Sequence, residues 1–170
     1  MQILHDLGVN VLMVDYRGYG KSEGSPSESG LYLDAMAAWR YLIDEKGFAA
    51  NDVVIFGRSL GGAVAANLAS KGEARGLVLE STFTSARDFA HAVMPVISRM
   101  VLMRFGLNTA EAVQQVHSPV LVLHSPDDDI IPFELGERVF ELANEPKHFV
   151  KLRGDHNSGF YLSQPQYEQV

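Results

Sequence analysis

The residue best suited to covalent chemistry in this chain is a serine between glycines. Gly57-Arg58-Ser59-Leu60-Gly61 fits the pattern G-x-S-x-G. It follows the apolar run Val53-Val54-Ile55-Phe56 and opens the small-residue segment Gly62-Ala63-Val64-Ala65-Ala66-Asn67-Leu68, so it reads as strand, tight turn and helix. Such a turn, a nucleophile elbow, strains the serine backbone and lifts its hydroxyl clear of the sheet edge. Gly57 and Gly61, without side chains, let strand and helix close up around it. The next backbone N–H, that of Leu60, then points to where an oxyanion would form. A serine hydroxyl attacks well only when a base takes its proton, typically a histidine held in one tautomer by a carboxylate. His156, in the polar loop Gly154-Asp155-His156-Asn157-Ser158-Gly159, has the placement for that base and completes the chain order serine, acid, histidine. His5, His91, His117, His124 and His148 lie ahead of, within or at the ends of elements and read as structural or solvated. For the acid, Asp127, Asp128 and Asp129 follow a strand end, and two of the three are free to face water. Glu80, ending a neighbouring strand, is the alternative, although a strand-end residue bonded to a nearby turn is its plainer role.

These groups need elements to carry them, and apolar runs alternate with helical patterns along the chain. Strands are expected over 10–15, 53–56, 76–80, 120–124 and 148–152. A helix is expected over 31–46, where Tyr32, Ala35, Met36, Trp39, Leu42 and Ile43 recur on one face and Gly47 supplies a stop. Further helices are expected from the elbow to about Ser70, through most of 85–115, over 133–143 and after Gly159. Nearly continuous apolar strands joined by helices imply a parallel sheet buried on both faces, with ligands beyond the carboxyl ends of the strands. Ser59, Glu80, Asp128 and His156 all fall at or just after such ends.

Composition limits the alternatives. The 170 residues are 46% hydrophobic, enough for one domain with a full core. With 14 Lys plus Arg against 21 Asp plus Glu, a net charge of -7 and no basic block, nucleic acid is not an expected partner. The absence of cysteine rules out disulfides, thiol nucleophiles and cysteine zinc sites. No apolar run reaches membrane-spanning length, and the N-terminus lacks the layout of a signal peptide.

Three blocks give the chain a resemblance to the alpha/beta-hydrolase superfamily, near the compact alpha/beta-hydrolase domain proteins and relatives of fungal bem46. Asp15-Tyr16-Arg17-Gly18-Tyr19-Gly20-Lys21-Ser22-Glu23-Gly24 is similar to a D-Y-R-G-x-G-x-S-x-G turn, and Gly57 to Gly62 to the family's elbow. His124 to Pro132 resembles H-G-x-x-D-x-x-V-P with Ser125 and Ile131 substituted, which sets Asp128 on the acid position. Gly154-Asp155-His156-Asn157 resembles G-G-H-N with Asp155 for a glycine. The resemblance implies a three-layer α/β fold: a mostly parallel sheet, helices on both faces and one domain over 1–170. A small helical, lid-like insertion is implied at about 85–115.

One departure has physical consequences. Family members begin with further strands and an H-G-x-x-G loop that supplies a second oxyanion N–H, and no such loop is present here. Met1 to Gly8 resembles instead the tail of the helix after that loop, which implies an N-terminally truncated version of the fold. In the family sheet a strand lies between this chain's first strand and the serine-bearing one. Without it, those two strands are expected either to leave a gap in the ladder or to pair directly, and a longer version of the chain is expected to be more stable. Losing one of two oxyanion donors costs on the order of 10²–10³ in turnover.

The resemblance implies a serine hydrolase with Ser59 as nucleophile, His156 as base, Asp128 orienting it and the Leu60 N–H as oxyanion donor. No metal or organic cofactor is needed. The expected substrate is a small-molecule or protein-linked acyl ester or thioester. A serine peptidase, an acyltransferase and a catalytically weak fragment acting as a binding or assembly module are the other readings. Phe89 to Phe105 lies at the lid position, where Met94, Met100 and Met103 could form an acyl-binding wall or simply part of a covering helix that Pro95 breaks. Arg17 suits a structural ion pair better than a substrate carboxylate. Cytoplasmic location is the default, and membrane association is expected only if an anchor precedes this sequence.

Overall fold

The runs over 76–80 and 120–124 become central strands because their alternate residues bury against helices on both sides. A computed structural model describes residues 8–95, 105–164 and 167. In it β1 (Val54–Arg58), β2 (Gly76–Glu80), β3 (Val120–His124) and β4 (Lys147–Lys151) form one parallel sheet in the order β1-β2-β3-β4. The helices are α1 (Glu28–Arg40), α2 (Leu60–Ala69), α3 (Ala86–Val93), α4 (Thr109–Val113), α5 (Phe133–Leu142) and α6 (Gly159–Leu162). One π-helical turn, Tyr41–Glu45, continues α1, and Gly47 at φ +74° stops it as expected. Among the described residues no helix is long and apolar enough to cross a membrane.

The main core joins Leu77 and Leu79 of β2 and Val122 of β3 to Ala65 and Ala66 of α2, Val113 of α4 and Val139 of α5. Each fully buried leucine contributes about 1.5–3 kcal/mol. Ala65 and the bare backbone of Gly57 let α2 lie close against β1, the strand from which it turns. A second cluster, with Leu31, Ala35, Val64, Phe83 and Ile131, seats α1 and the start of α3.

Two expectations are corrected here. The sheet is not buried on both faces throughout: at β1 Val54 and Phe56 are 50% and 45% exposed, whereas Ile55 is buried. Residues 10–15 do not form a strand, and Val11, Leu12, Met13 and Val14 are exposed. Of the two outcomes foreseen for the ladder, the gap is the one observed. A cavity of about 640 Å³, lined by Val11, Met13, Trp39, Val54, Phe56 and Leu68 among others, opens along β1. An apolar run becomes a strand only where another strand's edge is within hydrogen-bonding reach, and here none is. The helical expectation over 85–115 holds in parts. α3 ends at Val93, just ahead of Pro95, and α4 starts at Thr109. Residues 1–7, where the helix tail was expected, and residues 96–104 of the lid-like stretch, with Met100 and Met103, lie outside the described residues.

Candidate active site

Ser59 sits between β1 and α2 at φ 53° and ψ −124°, a conformation that costs a residue with a Cβ about 1–3 kcal/mol. Three hydrogen bonds hold it there. The Ser59 N–H donates to Glu80 O at 2.9 Å, and the Ser59 carbonyl accepts from the Gly62 N–H at 3.0 Å and from Thr82 Oγ1 at 2.9 Å. A serine at a helix N-cap usually spends its hydroxyl on the first turn, but here the side chain makes no capping bond. Leu60 opens α2, so its N–H belongs to the first-turn donors without an intrahelical acceptor.

Gly57, an expected glycine, permits the close approach of strand and helix, and Gly62, an unexpected one, lets α2 pack on Thr82 just beyond β2. A Cβ on Gly57 would stand 2.4 Å from Gly61 O and 2.5 Å from the Ala65 Cβ. A Cβ on Gly62 would stand 2.3 Å from Thr82 Oγ1. At Gly61 the nearest atom would be the Tyr16 hydroxyl at 3.9 Å, so space does not require that glycine.

His156 is 6% exposed in the loop after β4, and the Asp128 side chain is fully buried in the loop after β3. His156 Nδ1 lies 2.8 Å from Asp128 Oδ2 and 3.0 Å from Oδ1. Burial pushes the Asp128 carboxyl up, but the N–H of Ile131 at 2.8 Å, the His156 ring and the N–H of Ile130 at 2.9 Å together hold it below its ordinary value. A carboxylate that stays ionised beside Nδ1 keeps the proton on that nitrogen and leaves Nε2 as the basic one. Asp129 does not simply face water as one of a spare pair: its Oδ1 accepts from the His156 backbone N–H at 3.1 Å. Asp155, in the place of a glycine, accepts from the N–H groups of Asn157 at 3.0 Å and Ser158 at 2.9 Å and so shapes the histidine loop.

A seryl hydroxyl freed from capping, an imidazole held by a buried carboxylate and a helix N-terminus all gather at the carboxyl end of one parallel sheet. A family model described as serine aminopeptidase, S33, matches residues 1–105, more than half of the chain. This chain belongs to the alpha/beta-hydrolase superfamily. The chain is 39% identical over 147 residues to Protein bem46 of Schizosaccharomyces pombe, a match covering 83% of this chain and 49% of that protein. It is 35% identical over 164 residues to the lysophosphatidylserine lipase ABHD12 of Danio rerio, covering 86% of this chain and 42% of the other. Its fold matches the crystal structure of an alpha-beta hydrolase from Vibrio vulnificus with a TM-score of 0.69 at 26% identity, covering 88% of this chain and 58% of that one. The chain spans about half the length of the curated relatives it matches.

Glu80, His124 and Arg17 take their places around the site through contacts that only the fold makes. Glu80 is not the partner of the imidazole: its backbone carbonyl accepts from the Ser59 N–H of the elbow turn, and its side chain, in a residue only 2% exposed, meets Arg58 and the Tyr167 hydroxyl. Burial raises its pKa, against the lowering effects of Tyr167, Arg58 and His156. His124 is structural, as expected, yet it lies within the site's support. Its ring is fully buried, burial lowers its pKa, and Nε2 stands 3.0 Å from Ile131 O and 3.4 Å from Asp128 Oδ2. A neutral His124 protonated on Nε2 donates to Ile131 O and braces the turn that holds Asp128. Arg17 makes the expected ion pair, 2.7 Å from Asp34 Oδ1, and ties the 15–24 turn to α1. No sequence signal distinguished Arg58, because its partners His156 and Asn157 are distant along the chain.

Proposed function

We propose that this chain is a serine hydrolase of carboxylic esters or thioesters, acting through Ser59, His156 and Asp128. The observation that carries the reading is the pairing of an uncapped Ser59 at positive φ with an imidazole whose Nδ1 is held by a buried carboxylate. As Ser59 Oγ bonds to the acyl carbon, its proton passes to His156 Nε2 and the carbonyl π electrons move onto oxygen, forming an oxyanion to which the Leu60 N–H donates a hydrogen bond. Collapse of that adduct breaks the bond to the alcohol or thiol, which takes the proton from His156, and leaves an acyl-serine. His156 then deprotonates a water that attacks the acyl carbon, the Ser59 oxygen leaves with the proton, and the free acid departs. Ester chemistry is supported by the kinship to a protein named as a lipase and by the 25% identical esterase domain of Rhodothermus marinus, at a TM-score of 0.59.

A second reading, a catalytically weak module, is favoured by the open edge of β1 and by the single oxyanion N–H that the chain's own motif supplies. The test is labelling with a fluorophosphonate probe. Label that requires both Ser59 and His156, absent in Ser59→Ala and His156→Ala, is the expected result. A folded chain that takes no label supports the weak module.

A further inference from the structure

The residue ahead of the elbow serine takes no part in the reaction proposed above, yet it connects that serine's strand to the loop of the base. Arg58 ends β1, and its Nη2 donates to the backbone carbonyl of His156 and, at 3.2 Å, to Asn157 Oδ1. Its Nε lies 3.2 Å from Glu80 Oε1, an ion pair by distance whose N–H is not aligned for a hydrogen bond. Arg58 and Glu80 are register partners across the β1–β2 ladder, so the backbone presents the two side chains together. The other Glu80 oxygen accepts from the Tyr167 hydroxyl. Two carboxylates, Asp128 and Asp129, fix His156 to the loop after β3. Neither fixes it to the strand that bears Ser59.

We propose that Arg58, anchored on Glu80, is a positioning residue that holds the His156 loop in register with Ser59. This rests on the reading of Ser59, His156 and Asp128 as the hydrolytic site. The planar guanidinium suits the task because one rigid fork reaches an anion on the sheet and a carbonyl on the loop together. A lysine offers a single point charge on a flexible stem and cannot span both. Misplacing a catalytic group by about 1 Å costs on the order of 10²-fold in rate.

The experiment compares the chain with Arg58→Lys and Arg58→Met. Three quantities are read: the second-order rate of fluorophosphonate labelling at Ser59, the thermal midpoint, and the NMR signal of the His156 Nδ1 proton. Arg58→Lys, which keeps a positive charge opposite Glu80, is expected to hold the midpoint yet label on the order of 10–10²-fold slower, with a broadened His156 signal. Arg58→Met is expected to lose both rate and midpoint. Labelling by either folded variant within about twofold of the parent overturns the proposal. So does a rate that Arg58→Lys restores together with the midpoint, the pattern of a merely structural ion pair. If the parent itself takes no label, the hydrolase reading fails separately and the NMR signal decides: broadening in the variants supports the positioning role, and an unchanged signal overturns it.

Discussion

Replacing Asp128 by asparagine separates the chemistry proposed here from the stability of its support. Oδ1 of Asp128 accepts from the Ile130 and Ile131 N–H groups at 2.9 and 2.8 Å, so an asparagine must place its carbonyl oxygen there. Its NH₂ then occupies the place of Oδ2, 2.8 Å from His156 Nδ1. An NH₂ donates, so His156 is forced to accept at Nδ1 and to carry its proton on Nε2, where it cannot take one from Ser59. The loss in labelling rate and in ester turnover is expected to be on the order of 10⁴, about 5 kcal/mol of barrier. The fold loses less, because both backbone bonds survive. What goes is the charge-assisted part of the histidine contact, and a donor now stands 3.4 Å from His124 Nε2, for about 1–2 kcal/mol in all. Acid behaviour changes as well. The folded Asp128 carboxyl lies below its ordinary value, so its stabilising contribution is complete above the unfolded pKa and is lost as pH falls through the folded one. The asparagine variant is expected to lack that part of the acid slope. The assays are fluorophosphonate labelling kinetics beside urea midpoints taken from neutral pH downward. A folded Asp128→Asn protein that labels within about tenfold of the parent would refute the tautomer argument.

Two further outcomes follow from the elbow and from the sheet edge. Gly57→Ala is expected to cost about 1–3 kcal/mol in urea unfolding, because backbone and a neighbouring Cβ stand within 2.5 Å of the added carbon. Gly61→Ala, with nothing nearer than 3.9 Å, is expected to be neutral or stabilising by up to about 1 kcal/mol, and equal losses for the two would contradict the packing described. Val53 O accepts from the Arg75 N–H just ahead of β2 and Ser59 N donates to Glu80 of β2, so the odd-numbered residues of this strand face the ladder, and the amides of Val54 and Phe56 face the open edge. Hydrogen exchange is expected to be fast at Val54 and Phe56 and slow at Ile55 and Gly57, whereas uniform protection along β1 would show that its edge is covered.

Much of the architecture was legible because strands and helices write local patterns. The runs over 76–80 and 120–124 are the strands observed, and the α1 face carrying Tyr32, Ala35 and Trp39 is the one that packs inward. Residues 10–15 carry the same apolar signal and yet form no strand, since that signal records a tendency to be buried and not the presence of a partner edge. Edge strand β1 misled in the same way, because nothing in Val54 or Phe56 tells how much of the sheet face above them is covered.

The sequence by itself determined the elbow, the order of the candidate site residues and their places beyond the strand ends, since these follow from the chemistry of short segments. It singled out Gly57 correctly and Gly61 wrongly, because which glycine is needed depends on what the helix packs against, and that proved to be Thr82 at Gly62. Asp128 came from family likeness. Only the tertiary structure decided that Asp128 takes the imidazole, Asp129 its backbone and Arg58 the loop's carbonyl. Those bonds join residues 27 to 98 positions apart, and a contact of that reach exists only after the chain has folded and brought its polar groups to where burial requires them to be paired.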